Sequence, residues 1–154
     1  MKIESRPGGK DIDPPDVWRI EAWQPVESLQ VERMARELTQ KVYHLTKKPG
    51  FAKDYGLKRQ IQDAAGSSMH NIAEGFDSET NAEFIRFLRY AKRSCTEVQS
   101  ELYVALDERY ISQDEFNDVY RQAARTRAAI RGFINYLRTY EKAKGNTEPS
   151  TSKP

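Results

Sequence analysis

Thiol chemistry is nearly absent from this chain of 154 residues, whose only cysteine is Cys95. A lone cysteine excludes an intramolecular disulfide and suits a reducing cytoplasm. Histidine is almost as scarce. Neither His44 nor His70 has an acidic residue three positions earlier, so the Glu-x-x-His pairs of a di-iron bundle are missing. His70 with Glu74, and Glu97 with Glu101, stand one helical turn apart. A mixed site built from those four lacks the ligand symmetry of such centres, and no metal or cofactor is expected. No apolar run approaches the roughly 20 residues that cross a bilayer. Met1 to Ser5 opens no apolar signal region. No membrane contact is expected, and the cytoplasm is the expected location. Alternating apolar segments bounded by turn residues are missing, so no strand is expected. Phosphate loops, dinucleotide fingerprints, zinc spacings and serine elbows are missing as well. No residue set amounts to a catalytic site, so neither an enzymatic activity nor a small-molecule substrate is expected. Charge of one sign is lacking too: the net charge is +2. A balance of that kind implies neither nucleic acid nor membrane unless the charges cluster.

What the chain does contain is amphipathic periodicity. Residues 1–24 hold Pro7-Gly8-Gly9 and Pro14-Pro15, with Trp18 and Trp23 as the large apolar residues. They read as a flexible arm whose tryptophans dock on the host domain or on a partner. A helix is predicted after Pro25, with Leu29, Val31, Met34, Leu38, Val42 and Leu45 as its apolar stripe. Lys47-Lys48-Pro49-Gly50 stops it. A second helix is predicted from Tyr55 to Glu74. Gly75 is well placed to end it as a left-handed residue. A third runs from Asn81 to about Leu106, opened by a Thr80/Glu83 capping box. Its inner positions Phe84, Leu88, Ala91, Cys95, Val98, Leu102 and Ala105 step by four and three. The fourth opens at Ser112, where Glu115 completes a second capping box and Ile111 with Phe116 forms a hydrophobic staple. Its inner positions are Phe116, Val119, Ala123, Thr126, Ile130, Phe133, Leu137 and Tyr140. Residues 144–154 lack apolar side chains and are expected to be disordered. Four amphipathic helices over 25–143, joined by short connections, predict an all-α, antiparallel, up-down-up-down four-helix bundle.

These residues also carry a family resemblance. Its elements are Ala35-Arg36-Glu37-Leu38 with Val42-Tyr43, Tyr55-Gly56-Leu57 with Gln60-Ile61, the run Asn71-Ile72-Ala73-Glu74-Gly75-Phe76, and Glu83-Phe84-x-x-Phe87-Leu88. Over roughly residues 26–140 the chain resembles a small bacterial four-helix-bundle family. That family was first noticed as proteins encoded in 23S ribosomal RNA intervening sequences. It is related to the accessory variability protein of diversity-generating retroelements. Asn71, Glu74, Gly75 and Phe87 belong to the shared motif. Glu32 stands where family members usually carry an aromatic residue. The resemblance implies a homopentameric barrel of bundles. For retroelement members it further implies a basic surface that binds reverse transcriptase and RNA. For ribosomal-insert members it implies no established activity.

Two patterns bear on partners. Ile85, Phe87 and Tyr103 lie off the apolar stripe of the third helix, and six of the eight tyrosines fall between Tyr90 and Tyr140. Self-association explains both, and so does a wide stripe in a monomer. At ~100° per residue, Arg86, Arg89 and Arg93 share the sector opposite the core of the third helix, flanked by Tyr90 and Glu97. Arg127, Arg131 and Arg138 line the core edge of the fourth helix with Tyr120. Arginine interleaved with tyrosine serves phosphate contact and base stacking. The plainer alternative is a solvated face with intrahelical pairs, Glu83 with Arg86 and Glu97 with Arg93. The leading expectation is a non-enzymatic oligomeric adaptor that binds RNA, DNA or a nucleic-acid-processing protein such as a reverse transcriptase. The alternative is a scaffolding oligomer without nucleic-acid affinity.

Overall fold

The computed structural model describes residues 26–145. The expected N-terminal arm, with Trp18 and Trp23, and the expected tail from residue 146 onward lie outside the described residues; residues 144 and 145, expected in that tail, instead continue the last helix. The described residues hold the helices α1 (Val26–Thr46), α2 (Pro49–Lys53), α3 (Tyr55–Phe76), α4 (Asn81–Asp107) and α5 (Gln113–Gly145), joined by short links. Among the described residues there is no strand.

Each long helix exists because one face is apolar at helical spacing. In α1 the buried line is Val31, Ala35, Leu38, Val42 and Leu45. Leu29 departs from its expected place and is 52% exposed. At ~100° per residue it points away from that line, so the angle overrides its hydrophobicity. The predicted stop after Thr46 is observed, but the chain does not simply turn there. Pro49, whose fixed φ suits a first helical position, opens the five-residue α2. This helix buries Phe51 completely. Sequence reading missed it because Pro-Gly marks a break more strongly than one phenylalanine marks a turn of helix.

Asp54 then caps α3, its Oδ1 accepting from the Leu57 N–H at 3.1 Å. Its Oδ2 accepts from the Tyr110 hydroxyl at 3.0 Å, and the Tyr110 ring lies 5.5 Å from that of Phe51. One carboxylate thus joins the start of α3 to the α4–α5 link.

Gly75 requires a correction. It does not end α3 as a left-handed residue. The helix passes through it to Phe76, and Asp77 caps it in a right-handed conformation (φ −83°). Glycine is needed for space. An ideal Cβ at position 75 would lie 2.5 Å from Cδ2 of Phe84 and 3.5 Å from Cβ of Phe87. The left-handed terminator is Arg109, φ 59°, at the end of α4. The Arg109 N–H donates to Leu106 O at 3.0 Å and the Tyr110 N–H to Ala105 O at 2.9 Å. Those two bonds make a Schellman motif with arginine where glycine is usual.

The Ser112/Glu115 box closes in both directions, the Thr80/Glu83 box only from the Thr80 hydroxyl. The Glu115 N–H donates to Ser112 Oγ at 3.1 Å, and the Ser112 N–H donates to Glu115 Oε1 at 2.9 Å. Lys48 bonds the same Glu115 carboxylate. This cation and the backbone donor hold the carboxyl below its ordinary value. At Thr80 the hydroxyl accepts from the Glu83 N–H at 3.2 Å.

α1 packs on α3 and α5, and α4 packs on the same two helices. The buried side chains of all four meet in one core. Named pairs fix the levels. Thr39 reaches Ala65 O and Thr46 pairs with Gln62 between α1 and α3. Ser94 donates to Ser67 between α4 and α3. Lys41 pairs with Asp118, and Met34 O accepts from Gln122 and Thr126 between α1 and α5. Phe84 meets Phe133, and Tyr103 meets Phe116 and Tyr120, between α4 and α5. Buried Ile134 and Gln122 join the expected inner line of α5. Among the described residues no helix is long and apolar enough to cross a membrane.

Candidate nucleic-acid interface

The outer face of α4 follows from its inner one. With Leu88, Ala91, Cys95, Val98 and Leu102 fully buried, the opposite sector carries Arg86, Arg89 and Arg93, all exposed. The aromatic neighbours organise two of them. The Arg86 guanidinium lies 5.4 Å from the Phe87 ring centroid, and that of Arg93 lies 5.1 Å from Tyr90. Phe87 and Tyr90 meet edge to face at 6.2 Å. Helical side chains lean toward the N-terminus, which carries Arg93 back over Tyr90 and away from Glu97. The pair expected between Arg93 and Glu97 is not formed. An acid placed after its cation is also the weaker order for such a pair. Glu83 does reach Arg86, at 4.0 Å, with both side chains about half exposed. An exposed pair at that distance contributes little.

On α5, Arg127, Arg131 and Arg138 are exposed and border α4. Arg127 lies close enough to Cys95 of α4 to act on its thiol. Arg138 lines a surface pocket of about 600 Å³ with Ala82 and Ile85 of α4 and Lys142 of its own helix. Arg127 and Arg138 therefore lie on the side of α5 that faces α4. Tyr120 is not the free stacking ring its position suggested. It is half-buried, stacked on Phe116 at 5.2 Å and edged by Tyr103 at 5.6 Å. Tyr103 is the open member, 51% exposed. The sequence marked Tyr103 only as an off-stripe apolar residue. Its proximity to Tyr120 needs the α4–α5 register, which no local pattern encodes.

Two of the motif residues, Asn71 and Gly75, take part in helix packing. The Asn71 amide donates to Ser67 O and Ser67 Oγ, each at 2.9 Å. Ser94 Oγ donates to that hydroxyl at 3.0 Å, so small polar residues bind α3 to α4. Gly75 is buried under Phe84, while Glu74 is exposed.

Two titratable groups are displaced strongly. Burial pushes the Cys95 thiol up to about 12, against a smaller pull from Arg127. Such a thiol is no nucleophile near neutral pH. Glu101 was missed as a notable residue except as a metal candidate. Its Oε2 is buried with no hydrogen-bond partner. Burial first, then Glu97 and Asp63, raise its carboxyl to about 7. Among the described residues no group of three or more His, Cys, Asp or Glu side chains is placed to hold a metal ion.

Comparison with known proteins places these features. Comparison with curated proteins returns no significant match. Among solved structures the chain is similar to a crystal structure of a protein of unknown function from Bacteroides thetaiotaomicron, of the S23 ribosomal protein family. The TM-score is 0.67 at 17% identity, covering 71% of this chain and 99% of that one. That likeness concerns the fold alone. Residues 27–132 match the family described as 23S rRNA-intervening sequence protein. The match spans all of α1 to α4 except the first residue of α1, includes most of α5, and takes in the Asn71–Phe76 run. The chain belongs to the 23S rRNA-intervening sequence protein family.

Proposed function

We propose that this chain is a non-enzymatic cytoplasmic adaptor that binds RNA or DNA, or a nucleic-acid-processing protein such as a reverse transcriptase. In this reading its long helices form an antiparallel up-down-up-down bundle, and bundles assemble as a homopentamer related to the accessory proteins of diversity-generating retroelements. One observation carries the binding reading. Arg86, Arg89, Arg93, Arg127, Arg131 and Arg138 are exposed on neighbouring helix faces, and among the described residues only Arg86 has a carboxylate within ion-pair distance. Packing does not require these side chains, and local charge pairing uses only Arg86, through a long exposed contact with Glu83. Arginine matches phosphate in a planar, two-pronged way that lysine does not. A ring of subunits would multiply a modest patch.

The test is nucleic-acid binding by the wild type and by the Arg86→Gln/Arg89→Gln/Arg93→Gln variant, at low and moderate salt. The variant is expected to lose affinity and to show a shallower salt dependence. Wild type that retains neither RNA nor DNA at low salt overturns direct binding. Assembly is tested by light scattering, where a mass near the 17.8 kDa of one chain overturns self-association. A second reading, a scaffolding oligomer, is favoured by the exposed apolar side chains Tyr103 and Val104, 51% and 45% accessible. It predicts assembly without salt-sensitive retention of nucleic acid.

A further inference from the structure

Four side chains make an unbroken line of contacts along α4. The Arg86 guanidinium lies 5.4 Å from the Phe87 ring centroid. Phe87 meets Tyr90 edge to face at 6.2 Å, and the Arg93 guanidinium lies 5.1 Å from the Tyr90 ring centroid. The order is cation, ring, ring, cation, and the two arginine backbones stand about 10 Å apart along the helix axis. The line lies on the side of α4 that meets α3. Cβ of Phe87 is 3.5 Å from the ideal Cβ position of Gly75, and Ser94, one turn beyond Tyr90, donates to Ser67. Phe87 is half-buried there, whereas Tyr90 is 39% exposed and both arginines are exposed.

Packing accounts for Phe87, which is held against Gly75. It does not account for Tyr90 or for the cations. Among the described residues Arg93 has no carboxylate within ion-pair distance, and Arg86 has only the 4.0 Å contact with Glu83. Contact with a ring restrains a guanidinium without consuming its N–H donors. Those donors remain for a two-pronged bond to phosphate, and a restrained side chain loses less freedom on making it. The open part of the Tyr90 ring fits a base. Phosphate and base belong to one chain, so a cation beside an open ring engages both only where the base is unpaired. A duplex turns its bases inward and presents phosphate alone. A carboxylate-rich protein would satisfy the arginines and leave the ring unused.

Taking the nucleic-acid reading as the basis, we infer that the Arg86–Phe87–Tyr90–Arg93 line on the α3 side of α4 binds single-stranded nucleic acid, with phosphates on the two guanidinium groups and an unpaired base on Tyr90.

The experiment is fluorescence anisotropy of the full chain with a labelled 12-nucleotide RNA of one repeated pyrimidine, and with a 12-base-pair RNA duplex, over a salt series. The single strand is expected to bind about tenfold more tightly, the contribution of one base stacked on one tyrosine. Tyr90→Leu should weaken the single strand about tenfold and leave its salt slope unchanged, while Tyr90→Phe, which keeps the ring, should bind like wild type. Arg93→Gln should lower the slope by about 0.7, for one phosphate no longer neutralised. Circular dichroism of each variant checks that helicity is kept. Duplex bound as tightly as the single strand overturns the inference and leaves the nucleic-acid reading standing. So does a glutamate peptide of equal charge that displaces the single strand as well as unlabelled RNA does. Tyr90→Leu with wild-type affinity, or Arg93→Gln with wild-type affinity and slope, overturns the site. Absence of binding to both RNAs at low salt overturns the inference together with the reading beneath it.

Discussion

The ring of Phe84 occupies the space that a β-carbon on Gly75 would take, with ring atoms 2.5 and 2.7 Å from the ideal Cβ position. That ring is held from other sides as well. Phe76 lies 4.9 Å from it and Phe133 meets it edge-on at 5.2 Å. It cannot retreat without disturbing both neighbours. Gly75→Ala is therefore expected to destabilise the fold by about 1–3 kcal/mol, the usual cost of overpacking. Phe84→Leu in the same chain should restore part of the loss, because the two positions share one volume. Urea denaturation of the two single variants and the double variant measures the coupling. An unchanged midpoint for Gly75→Ala, or strict additivity in the double variant, would show that the ring is not the obstacle.

Arg109 is expected to behave in the opposite way. It holds a left-handed backbone, φ 59°, at the Schellman position where glycine carries no Cβ penalty. Arg109→Gly should stabilise the protein by about 0.5–1 kcal/mol, the relief of the left-handed strain less the added freedom of the unfolded chain. A lower thermal midpoint would mean that the arginine side chain contributes more than its backbone costs.

These two positions mark what the sequence could and could not say. It placed the boundaries of the four long helices within about two residues, because apolar spacing and the Ser112/Glu115 and Thr80/Glu83 caps are local signals. It misassigned Gly75 because a glycine near a helix end fits a terminator and a close approach equally well. Only the position of Phe84, on the next helix, separates the two. It gave no sign of Arg109, since nothing in an arginine announces positive φ. For the candidate site, the outward sectors of Arg86, Arg89 and Arg93 were legible from angle alone. The approach of Arg127 on α5 to Cys95 on α4 was not, because it depends on inter-helix register.

Glu101 supplies a dependence on pH. Its carboxyl stands at about 7 in the folded chain against an ordinary 4.5, through burial and the charges of Glu97 and Asp63. Between those values the native state keeps a proton that the unfolded chain releases. The stability this contributes is fully present below the unfolded value and is lost as pH rises through the folded one. The urea midpoint is thus expected to fall between about pH 5 and about pH 8, and Glu101→Gln should flatten that fall. An identical profile in the variant would assign the dependence to another group.

Cys95 gives a test of native packing. Fully buried, with its thiol pushed up to about 12, it should resist a thiol-specific reagent in the folded protein at mildly alkaline pH. It should react at once in denaturant, where the thiolate is accessible. Rapid labelling under native conditions would show that α4 opens far more readily than its packing implies.

The contact between the first and last long helices also has a consequence in time. Ser94 meets Ser67 across 27 positions, whereas Met34 waits for Gln122 and Thr126 across 88 and 92. Closing the longer loop costs more entropy, and on a ribosome its far side does not yet exist. The α3–α4 hairpin is expected to form first, with α1 docked on α3 alone until α5 is made. Substitutions at Ser67 and Ser94 should then slow folding, while those at Gln122 and Thr126 should mainly speed unfolding. In a nascent chain stalled before residue 122, the α5-facing side of α1 would be open, and this is the surface a chaperone would meet.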